Sequence, residues 1–489
     1  MSARLLERLA QHARTRPDAI AVREAGEAPR RVLSWRALHD AAAQLAGSLR
    51  DAQPEPVVIV SAPNRLELLV ALLAGLAADG AVLPVSPELP AAQLREAAAR
   101  AGATVAIGGA AALTALEDSV KTRIATEAIA LQPSGARADL TSAGTRGALL
   151  LLSSGTTDVP KLVRREAAAL DAMAHSCQTA IGVAPDDVML LAIPLHHSYG
   201  IDQGLLTAIF AGCRVELHGG FDLARVRASL RDDAVTLLPA VPFLFDVLAR
   251  GKLEAPSLRK AISAGGPLPL SVFEAFRRTT GIAIGQIYGS TEFGSVTYGD
   301  PDAEDFAPES VGRPLAGVAI RILDPGDPRL DAPLAAGEEG QVAVAAPSML
   351  SAYVGEAAPP TRDGFFVTGD LGRLDAAGRL TLTGRTALLI DVAGRKVNPL
   401  EVEAALAGHP RVAEVAVVPI PYSRTVGRMK AVVVPAGSGE VRADELRAFL
   451  RERLAAWKIP RRFEFLATLP RSPAGKVLRR ELEGAGSPS

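Results

Sequence analysis

A chain of 489 residues with a 48% apolar fraction, 4% aromatics and a net charge of −1 is an aliphatic globular protein, too long for one core, so two or more domains are expected. The near balance of 53 basic and 54 acidic residues, with no concentrated basic run, argues against nucleic-acid or anionic-membrane binding and points to small molecules or specific proteins as partners. Cys177 and Cys213 alone exclude a disulfide framework, and seven scattered histidines, of which only His196 and His197 are adjacent, speak against a metal cage.

The predicted elements begin with a helical stripe of Leu5, Leu6 and Leu9; residues 1–16 alternate apolar and charged side chains, unlike a secretory leader. No apolar stretch reaches membrane-spanning length without charge, Pro or Gly, so the chain is expected to be cytoplasmic, as a monomer or homodimer. Helical periodicity returns over 33–49. Strand 57–60, helix 66–77, strand 81–85, helix 91–100 and strand 103–107 then alternate as in a mainly parallel sheet with right-handed crossovers.

Polar residues 132–146 lead into the apolar run 148–152, a predicted buried strand that empties into Ser153-Ser154-Gly155-Thr156-Thr157-Asp158-Val159-Pro160-Lys161. This composition suits a polyphosphate cradle. Gly155 lets the backbone approach an anion, Ser153, Ser154, Thr156 and Thr157 offer hydroxyl donors, and Lys161 supplies a compact positive charge. A Walker loop would need Gly-Lys-Ser/Thr opening a helix, whereas here Pro160 precedes Lys161 and Leu162 follows it. Alone, such a run reads equally well as a polar surface turn, and the stretches downstream decide.

Next come a helix over 166–181 and a strand over 188–193 that runs into Pro194-Leu195-His196-His197-Ser198-Tyr199-Gly200. Apolar runs at 235–238, 261–263 and 282–287 then end at Pro239 and Pro242, at Gly265-Gly266-Pro267, and at Tyr288-Gly289-Ser290-Thr291-Glu292. Loops of special composition at the carboxyl ends of strands predict a single ligand cleft. Past Pro314 the texture changes to short strands, 318–323, 341–345, 365–368 and 380–382, which form a β-rich subdomain. Beyond Gly384-Arg385 a compact α+β segment follows: Asn398 caps a helix with Pro399 at its first position, 412–418 and 431–434 are strands, and Leu446, Phe449, Leu450 and Leu454 stripe another helix.

Taken together, the loops resemble those of the adenylate-forming superfamily of acyl-CoA synthetases, luciferases and peptide-synthetase adenylation domains. The likeness runs from about Leu5 to Leu482, with five separated motifs in the expected order. It implies an α/β fold: a large N-terminal domain (1–384) of mixed, mostly parallel sheets plus a β-rich subdomain, a hinge at 385–388, and a small mobile α+β C-terminal domain (389–489). By resemblance Ser153, Ser154, Gly155, Thr156, Thr157 and Lys161 hold the phosphates of ATP, and Gly265 and Gly266 lie beside adenine. Tyr288, Gly289 and Thr291 contact the adenylate, Glu292 binds Mg²⁺, and Asp370 in Thr368-Gly369-Asp370 accepts from the ribose hydroxyls with help from Arg385. Lys476, in the motif spanning 470–477, matches the adenylation lysine. His197 walls the acid pocket, lined further by Tyr199, Gly200, Gln203 and Ile287. The chemistry is coherent: a hydroxyl for the α-phosphate, a hard carboxylate for Mg²⁺, and a mobile cation where two anions must meet.

The implied activity is ATP-dependent conversion of a carboxylic acid to an acyl adenylate, then transfer to the pantetheine thiol of coenzyme A. Loading of a carrier protein is the alternative acceptor reaction, and a nucleotide-binding regulatory protein without turnover is the alternative of another class; a luciferase-like oxygenase would share the first step. No large insertion at the domain junction restrains the small domain, which favours coenzyme A. Peptide-synthetase domains carry an aspartate for the α-ammonium where this chain has Leu-His-His-Ser, so an acid without an α-amine is expected, with Asp202 the one nearby residue that points the other way. Ile287 narrows the cavity towards a small aryl or a short-to-medium acyl acid. Two positions depart from the family pattern: Asp158 puts a carboxylate beside the phosphates, and Leu388 puts an apolar residue at the hinge.

Overall fold

The computed structural model describes residues 4–26, 29–132, 140, 146–153, 160–325, 332–356, 358–388, 390–392, 395–421, 427–437, 441–471 and 477–483, with the backbone alone at 387, 391, 395, 396, 421, 427 and 428. Contacts gather the chain into two compact units, Met1–Ile320 with Val344–Phe366, and Arg321–Ala343 with Val367–Ser489.

In the first unit, helix Leu66–Ala77 is buried at every residue except Glu67. A helix apolar on all sides belongs between layers. It shares one core with helices Trp35–Ala52 and Ala167–Ile181 and with strands of two sheets, Val58, Val60, Val82 and Leu149 on one side, Met189, Leu191, Val215 and Leu217 on the other. Side chains of opposite parity face outward: Ile59, Leu83 and Leu150 pack under helix Ala91–Ala101, while Leu190, Leu238 and Ala261 pack under helices Pro242–Ala249 and Leu270–Thr280. The period of two in these strands thus builds three cores from two sheets.

The seven-stranded sheet runs in the order Ala352–Tyr353, Leu162–Glu166, Ala148–Leu152, Ala81–Val85, Val57–Ser61, Val105–Gly108, Thr122–Ala125. The nine-stranded sheet runs Arg313–Pro314, Gly294–Gly299, Ile284–Ser290, Lys260–Ser263, Leu237–Ala240, Val188–Leu191, Arg214–Leu217, Ile20–Glu24, Val32–Ser34. Both have parallel interiors; the nine-stranded sheet is antiparallel at both margins and the seven-stranded sheet at one, as expected of a mixed, mostly parallel α/β fold.

One local reading changes, and one strand is added. Residues 288–290, expected in a loop, continue the strand Ile284–Ser290, because Gly294–Gly299 folds back on it antiparallel, pairing Tyr288 with Thr297 and Ser290 with Gly294. Gly289 permits that return: a Cβ there would meet the Gly294 carbonyl oxygen at 2.4 Å. Residues 162–166, with two arginines, form a strand in full antiparallel register with Ala148–Leu152.

The second unit holds strand Leu380–Arg385, paired antiparallel with Phe365–Leu374, and a three-stranded sheet of Val412–Pro421, Gly427–Pro435 and Arg462–Phe465. Helices Pro399–Ala407 and Ala443–Arg451 cover it, burying Val402, Leu406, Leu446 and Leu450 against Val417, Ala431 and Val433. The Asn398 side chain accepts from the Leu400 N–H, the predicted cap. Among the described residues no helix is long and apolar enough to cross a membrane.

Candidate active site

The phosphate-loop sequence connects the hairpin of Ala148–Leu152 and Leu162–Glu166. Its two ends are pinned to each other: the Ser153 N–H donates to the Lys161 carbonyl (2.8 Å), and the Lys161 N–H donates to the Ser153 hydroxyl (3.1 Å). Ser154, Gly155, Thr156, Thr157 and Asp158 lie outside the described residues. The Lys161 ammonium sits 4.4 Å from the ring centroid of Tyr353.

The adenylate motif occupies the end and turn of a second hairpin. Tyr288 is buried, its ring 5.6 Å from that of Phe293, and Gly289 lies exposed at the strand's end. Thr291 and Glu292, half-buried, form the turn, where the Glu292 N–H donates to the Ser290 hydroxyl (3.1 Å). Among the described residues no group of three or more His, Cys, Asp or Glu side chains is placed to hold a metal. If Glu292 holds Mg²⁺ as the resemblance implies, the remaining oxygens would come from nucleotide and water, a donor set that suits a hard cation which keeps several waters.

A segment that sequence reasoning missed joins these two hairpins. The Ser351 N–H donates to the Arg164 carbonyl (2.9 Å) and the Val354 N–H to the Leu162 carbonyl (2.8 Å), adding the two-residue strand Ala352–Tyr353 to the edge of the seven-stranded sheet. The same segment grips the adenylate turn of the nine-stranded sheet. The Ser348 hydroxyl donates to the Phe293 carbonyl (2.7 Å), the Leu350 N–H to the Glu292 carbonyl (2.7 Å), and the Tyr353 hydroxyl to Glu292 Oε1 (3.4 Å). Burial and the Glu292 charge push the Tyr353 hydroxyl well above its ordinary pKa, so it remains a donor at neutral pH.

On the acid side the chain turns tightly after strand Val188–Leu191. The His197 N–H donates to the Pro194 carbonyl (3.1 Å), and a Cβ at Gly200 would meet that same oxygen at 2.5 Å. The His196 and His197 rings lie 4.5 Å apart, and burial, then the charge of His197, lowers the His196 pKa to about 4. The Tyr199 hydroxyl lies 2.9 Å from the Ile262 carbonyl and 3.2 Å from that of Ala240, tying the carboxyl ends of two neighbouring strands. Gly200–Leu206 is a π-helical turn, a local widening often found at functional sites. From it Gln203 points into the core, donating to the Ser295 hydroxyl (2.6 Å) and the Cys177 sulfur (2.9 Å). Ile287 is buried in the same core as Tyr199's neighbours. Gly265, with φ of +83°, and Gly266 leave an exposed backbone after strand Lys260–Ser263.

Asp202 is engaged elsewhere. Both of its oxygens accept from Arg165 Nη1 (2.8 and 3.0 Å), and the two side chains are 2% and 0% exposed. A carboxylate whose charge is matched by a guanidinium inside a dry core is not placed to receive a substrate ammonium.

In the second unit Asp370 and Arg385 face each other across paired strands, and Arg385 Nε donates to Asp370 Oδ1 (2.6 Å). Within strand Phe365–Leu374 the Thr368 hydroxyl accepts from the Asp370 N–H (3.0 Å). Lys476 lies outside the described residues; Arg471 and Val477, which flank its segment, form an antiparallel bridge.

The sequence pattern described as AMP-binding enzyme matches residues 9–354, and that of the AMP-binding enzyme C-terminal domain matches 401–476. A feruloyl-CoA synthase of Amycolatopsis is 30% identical over 489 residues, 96% of this chain and 97% of its own. A 2-succinylbenzoate–CoA ligase of Bacillus licheniformis is 34% identical over 346 residues, 68% of this chain and 69% of its own. Among solved structures, the o-succinylbenzoate CoA synthetase of Bacillus subtilis in complex with its acyl-adenylate intermediate superposes with a TM-score of 0.85 at 26% identity, covering 99% of each chain.

Proposed function

The chain belongs to the family of AMP-binding enzymes, and from that membership we propose that it is an AMP-forming acid–thiol ligase that activates a small aryl or a short-to-medium acyl acid and hands it to coenzyme A. The observation that carries this reading is the junction of the two hairpins: the lysine at the phosphate loop meets the ring, and the carboxylate of the adenylate turn the hydroxyl, of one tyrosine.

In the first half-reaction a carboxylate oxygen attacks the α-phosphorus of ATP, the bond to the bridging oxygen breaks, and pyrophosphate leaves with the electron pair. Lys161 and Lys476 offset the charge that gathers as two anions meet, and the Thr291 hydroxyl donates to the α-phosphate. Mg²⁺ on Glu292 supplies further charge neutralisation at the phosphates. In the second half-reaction the thiol gives up its proton, sulfur attacks the acyl carbon, and AMP departs. A small domain, 389–489, pivoting at 385–388 carries Lys476 through this cycle, and the short 3₁₀ turn Thr386–Leu388 after strand Leu380–Arg385 suits a pivot.

The acid lacks an α-ammonium, because Asp202 is spent on Arg165. An aromatic acid is favoured by the relatives named for ferulate and 2-succinylbenzoate, and the bulk of Ile287 limits the acid to a small one. The relatives described above are ligases or synthetases and so speak against the regulatory alternative.

The test is acid-dependent exchange of pyrophosphate into ATP across aryl, fatty and amino acids, with Lys476→Ala in parallel. Exchange with aryl or medium-chain acids, lost by about two orders of magnitude or more in the variant, is expected. Preference for palmitate or for an α-amino acid would overturn the substrate class. Coenzyme A and a phosphopantetheinylated carrier protein, offered side by side, decide the acceptor.

A further inference from the structure

Tyr353 touches both charged groups of the nucleotide site through two different parts of one side chain. Its ring faces the Lys161 ammonium at 4.4 Å from the centroid, and its hydroxyl reaches Glu292 Oε1 at 3.4 Å. The backbone makes this placement reproducible. Tyr353 pairs with Val163, two residues beyond Lys161, while Leu350 in the same segment is bonded to the Glu292 carbonyl. The side chain is only 6% exposed, so neither contact is a surface accident.

The two contacts differ in kind. A ring attracts an ammonium through its quadrupole without neutralising it, whereas a carboxylate in that place would compete with phosphate for the lysine. Held this way, Lys161 is oriented and keeps its full charge. The hydroxyl, by contrast, commits one oxygen of Glu292 and fixes the plane of the carboxylate, as an outer hydrogen bond does for a metal-ligating acid.

We propose that Tyr353 is a positioning residue for the magnesium nucleotide, its ring setting Lys161 for the phosphates and its hydroxyl setting Glu292 for the divalent cation. The inference rests on the reading of Lys161 and Glu292 given above, and it adds that the two functions are separable within a single side chain.

The experiment compares Tyr353→Phe, which keeps the ring and removes the hydroxyl, with Tyr353→Leu, which removes both. Calorimetric titration with ATP is run in saturating Mg²⁺ and in EDTA, and pyrophosphate exchange is measured against Mg²⁺ concentration. Tyr353→Phe should bind ATP in EDTA as wild type does, yet lose about three- to tenfold of the gain in affinity that Mg²⁺ confers, with half-saturating Mg²⁺ raised by a similar factor. Tyr353→Leu should in addition lose about three- to thirtyfold in EDTA, from the missing ring. A merely structural tyrosine would weaken both conditions equally or lower the melting temperature alone, and either result overturns the proposal. So does a Tyr353→Phe enzyme with unchanged Mg²⁺ dependence, a result that stands even if Tyr353→Leu fails to fold. Wild type that binds magnesium ATP but exchanges with no acid would sink the ligase reading while leaving the calorimetric comparison decisive for Tyr353; wild type that binds no nucleotide would overturn both.

Discussion

Two arginine–aspartate pairs behave as opposites. Arg165 and Asp202 are sealed, with two bonds between them and a third from Arg165 Nε to the Ser348 carbonyl at 3.2 Å. Arg385 and Asp370 share one bond, and the arginine side chain is 48% exposed. Burial decides what such a pair is for. The sealed pair has surrendered its hydration and can release neither partner, so it serves as framework beneath the junction of the two hairpins. The open pair, its arginine at the surface above a buried aspartate, can exchange part of its contact for ligand hydroxyls, which suits the ribose role we propose for it.

The largest effect is expected from breaking the sealed pair. Arg165→Leu leaves Asp202 in the core without its counter-charge and should lower unfolding stability by about 3–5 kcal/mol, read as a shifted urea midpoint, whereas Arg165→Leu with Asp202→Leu should recover most of the loss. An unchanged midpoint in the single variant would abolish the distinction drawn here. Asp370→Ala should raise the KM for ATP about tenfold, from loss of charge-assisted bonds to the ribose, with the melting temperature nearly unchanged. A large drop in melting temperature with normal KM would reassign this pair to framework as well.

The smallest effect extends the contrast to titration. Burial, with Arg16 next in weight, holds His12 at about 4; burial and then His197 do the same for His196, and burial for His218. A histidine whose folded pKa lies below its unfolded value lends stability above the unfolded value and loses it as pH falls towards the folded one. Melting temperature should therefore decline between about pH 6.5 and 4, and His218→Gln should flatten the decline by one proton. A profile level over that window would show these histidines to be open rather than sealed.

Much of this was legible in the residues. The strands at 57–61 and 81–85, the helix Leu66–Ala77 and the Asn398 cap follow from apolar period and cap chemistry, and the motifs announced the family. What stayed hidden depends on partners distant in sequence. Arg164 and Arg165 look like surface charges, yet Arg165 is fully buried because Asp202 awaits it 37 residues on. Ala352 and Tyr353 have no strand signal of their own; only the unpaired edge of Leu162–Glu166 makes them one. Tyr288-Gly289-Ser290 reads as a loop by composition, and its antiparallel neighbour alone keeps it extended.

The two-residue strand also sets a timetable. On the ribosome, Leu162–Glu166 pairs with Ala148–Leu152 as soon as both have emerged, but its outer edge waits for Ala352–Tyr353, about 190 residues later in the chain. At a synthesis rate of roughly 5–20 residues per second, that edge stands open for about 10–40 seconds, long enough for another nascent strand to seize it. Arg164, Arg165 and Glu166 crowd this strand with charge, the composition that deters such capture. The charges that make this strand hard to read in the sequence are thus also ones that would hinder its capture, and one of the two arginines ends fully buried.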